Sequence, residues 1–415
     1  MRSLLSVRQT ISTGRRRKNQ PAARMVCPLL LWLWGSLGLL LSGSLPSIAL
    51  AQPESGEITA QAIREHIEYL ADPAREGRRN AGKVAAREYI CAAFESAGLT
   101  PLFDGQWMQE VPARTGILSE EGQIGQNLGA FVPGTDPDLR REWIIINAHY
   151  DHLGTLHGKV FPGADDNASG VSMLLEVARQ ISRKPLKRSV AFVAFDFEES
   201  LLWGSRWFIG HTPMHLDQIK LCLTADMIGR SLGGLGIPSV FVLGAEHSAI
   251  LRETLAEISP PEGLEIAQLG TDMIGTRSDY GPFRDQEIPF LFFSTGQHPE
   301  YHTPRDTVDL IDFEKTARIS QLILKIVEHL GNNSASLEWE PAAYQKLEEA
   351  RAIYRVTDQL LQSEESGDAS LSATQRFLVS QIRSKAQYML KMQHVSDEER
   401  KWMGRSAQVL LLSVF

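Results

Sequence analysis

From Thr59 onward the chain alternates between apolar stripes and unbroken apolar runs. Ile63, Ile67 and Leu70 recur at three- and four-residue intervals and predict a helix beginning at Thr59. A second helix is predicted over residues 83–97, stopped at Gly98. Four short runs read as strands buried on both faces: Trp143–Ile146, Ser189–Phe195, Leu221–Ala225 and Pro289–Phe293. Among them, Val171, Leu174, Leu175, Ala178 and Ile181 make one helical stripe, and Phe313–Leu330 has the pattern of an amphipathic helix. Strands alternating with helices predict an α/β sandwich around a parallel or mixed sheet, with a core over residues 57–332.

Both ends depart from this pattern. After Gly331, Asn332, Asn333 and Ser334 the chain reads as helical throughout. Ser372 with Gln375 and Ser396 with Glu399 form capping-box pairs. Three roles are open to this extension, residues 337–415: packing on the core, capping a cleft, or self-association. The first 51 residues hold seven basic side chains and no acid, followed by an apolar run over 29–41 and the triplet Ala49-Leu50-Ala51. That order is the signature of a secretory signal cleaved after Ala51, which implies a secreted or periplasmic protein with no stable membrane span. Residues 52–336 are then the main domain.

Composition narrows the partners. Without residues 1–51, 35 Lys and Arg face 50 Asp and Glu, a net charge of about −15. Such a chain is a poor ligand for nucleic acid or an anionic membrane. Cys91 and Cys222 are the only cysteines beyond the leader, so there is no thiolate zinc site. The pair reads either as one disulfide or as two buried thiols. No feature fixes an oligomeric state.

The chemistry gathers where the predicted strands end. Trp143–Ile146 runs into Asn147-Ala148-His149-Tyr150-Asp151. Ser189–Phe195 runs into Asp196-Phe197-Glu198-Glu199, and Leu221–Ala225 into Asp226. A Pro162-Gly163-Ala164 turn delivers Asp165-Asp166 ahead of a helix, and Tyr301-His302 follows the fourth strand. In open α/β sheets ligands bind beyond the carboxyl ends of strands. One acid there is usually a helix cap. Several acids and imidazoles together are costly unless a cation pairs them. Imidazole and carboxylate without thiolate suit Zn²⁺, with Mn²⁺ or Co²⁺ as competitors. Asp151, two residues from His149 on an extended segment, is placed to orient its ring. In the Glu198-Glu199 pair the side chains point apart, so one can face a metal and the other a water as general base.

These segments resemble the M28-type zinc aminopeptidases: NAHYDHLG (147–154), PGADDNASG (162–170), AFDFEES (194–200), LTADMIGR (223–230), SDYGPF (278–283) and EYHTPRDTVDLID (300–312). The resemblance covers residues 57–332. It implies a three-layer α/β/α sandwich with a mainly parallel mixed sheet and two zinc ions. It assigns Asp165 as the bridge, Glu199 and His302 to one ion, and His149 and Asp226 to the other. It makes Glu198 the general base and Asp151 the partner of His149, with a cis peptide at Asp165–Asp166. The implied activity is removal of N-terminal residues from peptides with a free N-terminus.

Nearby residues receive blander readings. His152 and His157 read as loop polarity, and Asp166 and Asn167 as turn-shaping. Asp196 is either a support of the site or a strand-end polar group. Tyr301 is a candidate hydrogen-bond donor to an oxyanion, and Asp279 a helix cap or a support. Glu76-Gly77-Arg78 also fits the family but has no chemical role in this reading. The competing functions are a glutaminyl-cyclase-like aminoacyl transferase, which needs one zinc, a carboxypeptidase or dipeptidase on the same scaffold, and a metal-free binding module.

Overall fold

The structure is a computed structural model that describes residues 57–113, 124–367 and 371–414. The signal-like segment 1–51 lies outside the described residues. Among the described residues no helix is long and apolar enough to cross a membrane.

The strands are β1 (Thr100–Pro101), β2 (Met108–Val111), β3 (Gly125–Val132), β4 (Trp143–His149), β5 (Gly154–Leu156), β6 (Lys159–Phe161), β7 (Ser189–Phe195), β8 (Ile219–Ala225), β9 (Ser239–Leu243), β10 (Glu265–Leu269) and β11 (Phe290–Ser294). The helices are α1 (Ala60–Leu70), α2 (Asn80–Ser96), α3 (Gly170–Arg183), α4 (Trp203–Gly210), α5 (Ala249–Glu257), α6 (Tyr280–Arg284), α7 (Phe313–Asn332), α8 (Lys346–Ser366), α9 (Ala373–Met392) and α10 (Asp397–Val414). Nine strands form one sheet in the order β1-β3-β7-β4-β8-β11-β9-β10, with β2 pairing on β3, and β5 and β6 form a separate hairpin.

At the centre, β7, β4, β8 and β11 run parallel, with Ile146 level with Phe192 on one side and Leu223 on the other. β3 and β9 join antiparallel on the two flanks. The parallel register brings the carboxyl ends of β4, β7, β8 and β11 to one edge, where Phe195 is level with His149 and Phe293 with Ala225. Ile145, Val193 and Phe195 pack on Phe208 of α4 and Phe283 of α6. α1, α3 and α7 pack on one another, and α3 lies against β4 and β7. This is the expected mixed-sheet sandwich with helices on both sides.

All four predicted central strands are present, within three residues of their expected ends. The flanking strands were not foreseen, for a physical reason. β3 carries two glycines and β10 sets Glu265 and Gln268 among its apolar residues, so neither makes a continuous apolar run, whereas β9 (SVFVL) is such a run and was passed over. The extension is helical as expected, but only from Lys346. Residues 337–345 are an extended strap whose Trp339 stacks on His247, ring centroids 4.0 Å apart. The capping box at Ser372 is formed, and Ser396 and Glu399 exchange the same reciprocal bonds. α8 lies on β10 at the sheet edge and builds, with α9, a second apolar core around Ile353, Leu360, Val379, Ile382 and Met389. Cys91 and Cys222 are buried free thiols, and burial pushes both up to about 12.

One fully buried cation ties the loops at the active edge together. Arg78 follows Glu76 and Gly77, and all three have left-handed backbone, with φ of 48°, 63° and 49°. Gly77 admits no side chain, because a Cβ there would lie 2.4 Å from the Phe161 carbonyl and 2.6 Å from that of Gly154. The turn aims the Arg78 guanidinium inward, where it donates to the carbonyls of Tyr150 (2.8 Å), Leu70 (3.1 Å), Pro162 (2.6 Å), Gly163 (2.8 Å) and Asp166 (3.1 Å). It therefore holds the segment after His149 against the segment that delivers Asp165 and Asp166. Burial lowers the guanidinium to about 10 against the upward pull of Asp166 and Asp306. The Glu76-Gly77-Arg78 motif, without a role in the sequence reading, is this clamp.

Two predictions follow from the packing. Arg78→Met leaves several buried carbonyls unpaired at about 1–3 kcal/mol each. Denaturant unfolding should show a loss of at least about 3 kcal/mol, and Arg78→Lys should not restore it, because an ammonium cannot span five acceptors. A chain starting at residue 52 should react with thiol reagent at both cysteines after unfolding without reductant, and at neither while folded.

Candidate metal centre

Each side chain at the active edge is delivered by a strand end or a tight turn. His149 closes β4, and Asp226 directly follows β8. Glu198 and Glu199 lie in the turn after β7, Asp166 at the mouth of α3, and His302 after β11. The backbone is left-handed at Phe197, Met227 and His302, with φ of 55°, 56° and 53°. Such conformations cost about 1–3 kcal/mol each in a non-glycine residue and persist only where the surroundings enforce them. Here they flank or include members of the cluster.

Asp166 is at the centre. One oxygen, Oδ1, is 3.2 Å from His149 Nε2, and the other, Oδ2, is 3.1 Å from His302 Nε2 and 3.7 Å from His152 Nδ1. Beyond His149, Asp226 Oδ1 lies 3.4 Å from the same Nε2. Beyond His302, Glu199 Oε2 lies 3.4 Å from its Nε2, and Glu199 Oε1 is 2.9 Å from His152 Nδ1. Two triads result, His149–Asp166–Asp226 and His152–Asp166–Glu199, each with donor atoms within 4.8 Å of one another. They meet at one carboxylate.

The structure thus brings together His149, Glu199, Asp226 and His302 from the predicted set, with Glu198 beside them. It does not bring in Asp165. Neighbouring residues in this turn face opposite ways, and the Asp165 carboxylate is directed away from the cluster. Its Oδ1 accepts the Gly229 N–H at 2.6 Å, and its Oδ2 lies 3.3 Å from His298 Nε2. Asp166, expected to shape the turn, takes the central place. The cis peptide is likewise one residue later than expected, at Asp166–Asn167. Asn167 does shape the turn, accepting the Gly170 N–H and donating to the Ala225 carbonyl.

Asp151 acts by a different route from the one expected. The His149 ring nitrogen Nδ1 is 3.1 Å from the Asp151 backbone carbonyl and 3.7 Å from its carboxylate. The carboxylate instead accepts the Glu198 N–H at 3.1 Å. One residue thereby orients both the His149 ring and the Glu198 backbone.

Three further residues carry weight: His152 and Asp306, which the sequence did not reveal, and Asp196, for which it left two readings open. His152 is buried, not loop polarity, and its Nε2 has no hydrogen-bond partner. Asp306 accepts the backbone N–H groups of both Asp165 and Asp166, and burial beside Asp165 pushes its carboxyl up to about 6. Asp196 pairs with buried Lys83 at 2.6 Å and accepts from the Tyr150 hydroxyl, a support one step behind the cluster. The repeated His in HYDHLG was the one available signal for His152. Nothing local marked Asp306.

The electrostatics are those of a site short of positive charge. Burial and the nearby Asp226, Asp279 and Glu199 charges hold Glu198 well above the usual carboxylate range, against the pull of His149. Asp226 is raised by burial as well. Burial lowers His302, but Asp166 and Glu199 outweigh it and push the imidazole up to about 10. Tyr301 stacks on His302 with centroids 3.9 Å apart, and burial raises its hydroxyl so that it stays a proton donor. Imidazole and carboxylate donors, no thiolate and excess buried negative charge fit divalent zinc.

Comparison with known proteins points to peptidases. Residues 127–327 match the model of peptidase family M28. The chain is 28% identical over 237 residues to Aminopeptidase YwaD of Bacillus subtilis, covering 54% of this chain and 49% of that one. It is 26% identical over 252 residues to Leupeptin-inactivating enzyme 1 of Streptomyces exfoliatus, covering 59% of this chain and 51% of that one. The chain thus spans about half the length of these curated relatives. Its fold matches that of a Bacillus subtilis zinc aminopeptidase, with TM-score 0.53 and 17% identity over 69% of this chain and 99% of that chain. It also matches a glutaminyl cyclase of Porphyromonas gingivalis, with TM-score 0.52 and 19% identity over 66% and 99%. Through residues 127–327, this chain is similar to peptidase family M28.

Proposed function

We propose that the chain is an exported zinc aminopeptidase that holds two zinc ions side by side on Asp166. The observation that carries this reading is the divided carboxylate. Each Asp166 oxygen faces a different imidazole, and each imidazole has its own second acid, Asp226 for His149 and Glu199 for His302. His149 and Asp226 would hold one ion, Glu199 and His302 the other, with Asp166 shared. Bound there, zinc would supply Lewis acidity toward a peptide carbonyl and a water of lowered pKa.

The remaining chemistry belongs to the chain. Glu198 sits beside the cluster with its pKa raised, and so is suited to take a proton from water and pass it to the leaving amine. The water O–H and the scissile C–N bonds break as the new C–O and N–H bonds form. Asp151 fixes the Glu198 backbone, and Tyr301 is a donor available to the developing oxyanion. A neutral free α-amine is itself a nitrogen donor suited to zinc, which supports exopeptidase over endopeptidase action. The aminopeptidase names of the Bacillus subtilis relatives point the same way. The basic, apolar and Ala49-Leu50-Ala51 leader supports export.

The direct assay is a panel of aminoacyl-nitroanilides and N-blocked peptides, with and without chelator. Hydrolysis of free N-termini that chelator abolishes is the expected result. Activity on blocked peptides alone would overturn the reading, as would one zinc per chain with cyclisation of N-terminal Gln. Glu198→Gln should lower kcat by about 10²–10⁴ while zinc content stays at two per chain. Asp166→Asn should lose zinc from both positions, whereas Asp165→Asn should retain it. Metal analysis of the purified variants checks both.

A further inference from the structure

The chain from Gly270 to Asp279 links β10 to α6 and is pinned at its two ends by different parts of the molecule. At the first end the C-terminal extension holds it. Arg400 of α10 donates to both oxygens of Asp272 at 2.8 Å and to both oxygens of Glu349 of α8 at 2.7 and 2.8 Å. Its guanidinium lies 3.4 Å over the Tyr344 ring. Glu349 also accepts the Gly270 N–H at 3.0 Å, and Gln408 of α10 donates to the Met273 carbonyl at 3.1 Å. Met273 is buried in the core of the extension. From the catalytic domain, Glu246 accepts the Thr271 N–H at 2.7 Å.

At the other end Ser278 and Asp279 are fully buried. Asp279 Oδ1 accepts from Ser205 Oγ at 2.5 Å, and its Oδ2 has no partner. A Cβ on Gly281 of α6 would lie 3.3 Å from Leu202 Cδ1. Leu202 and Ser205 belong to the turn and helix that follow Glu198 and Glu199 directly. Between the two pinned ends, Gly275, Thr276 and Arg277 are exposed.

We infer that the C-terminal extension is a working part of the active site: Arg400 is a positioning residue that, by clamping Gly270–Met273, holds Asp279 against the turn that carries Glu198. This rests on the aminopeptidase reading for its kinetic consequence only. The clamp is built to hold position. A planar guanidinium paired bidentately with two carboxylates, one of them buried, and stacked on an aromatic face is the most directional ion pair available to a protein. Removing it leaves the apolar core of α8 and α9 in place, so the loop loosens without detaching the extension.

The test compares the full chain with Arg400→Met and Arg400→Lys by hydrogen exchange, zinc content and steady-state kinetics on an aminoacyl-nitroanilide. Arg400→Met should speed exchange of the 270–279 amides about tenfold or more, leaving β4 and β7 unchanged and zinc content intact. It should lower kcat about tenfold with little change in KM, the size typical of losing an outer support of a metal site. Arg400→Lys should fall between. Unchanged exchange in 270–279 overturns the clamp, and faster exchange with kcat within twofold overturns its catalytic role. A wild-type chain inactive on every free N-terminus refutes the aminopeptidase reading instead, and the exchange comparison still decides the clamp.

Discussion

Too many buried carboxylates meet at one edge of the sheet for their charges to be held by the chain alone. Asp166, Asp226, Glu198 and Glu199 lie within reach of three imidazoles, and the low-dielectric surroundings magnify every repulsion among them. The parallel β7-β4-β8-β11 register creates the crowding, because it sets four carboxyl ends side by side. The two proposed divalent cations would resolve it. The shared carboxylate, with an imidazole on each oxygen, is the geometry that lets two cations sit together.

Much of the surrounding structure serves to keep that edge rigid. Arg78 spends its hydrogen bonds on backbone carbonyls, not on the acids, and so welds the loops of His149 and Asp166 without neutralising either. Asp306 holds the same loop from the amide side. Asp151 ties the ring of His149 to the backbone of Glu198, so the two residues are held in a fixed relation. Left-handed backbone at Phe197, Met227 and His302 is tolerated because these anchors leave no alternative.

Composition and pattern made the sheet legible, because strands buried on both faces are continuous apolar runs. They left the flanking strands dark, because β3 and β10 mix glycine or polar residues into the run. At the site, strand-end logic and family resemblance brought out His149, Glu198, Glu199, Asp226 and His302. They failed by one residue at Asp165-Asp166. Two adjacent acids in a turn are equivalent on paper; only folding reveals that Asp165 meets Gly229 and His298 while Asp166 meets the imidazoles. His152 was missed because a single loop histidine has no periodicity to betray burial. Arg78 and Arg400 were beyond reach for a related reason. Apart from Leu70, 8 positions before Arg78, their partners lie 72 to 88 and 51 to 128 positions away in the chain, and nothing local records such pairings.

The extension, left with three open roles by its sequence, lies against the sheet edge at β10 and reaches the loop that leads into the site. The proposed Arg400 clamp would couple packing to catalysis through a part of the chain that the family match does not cover. The account as a whole stands on the shared Asp166 carboxylate. Diffraction from crystals of the purified protein, recorded across the zinc absorption edge, addresses it most directly. Two anomalous peaks, one beside each oxygen of Asp166, are the predicted result. A single peak, or a peak on the carboxylate of Asp165, would contradict it.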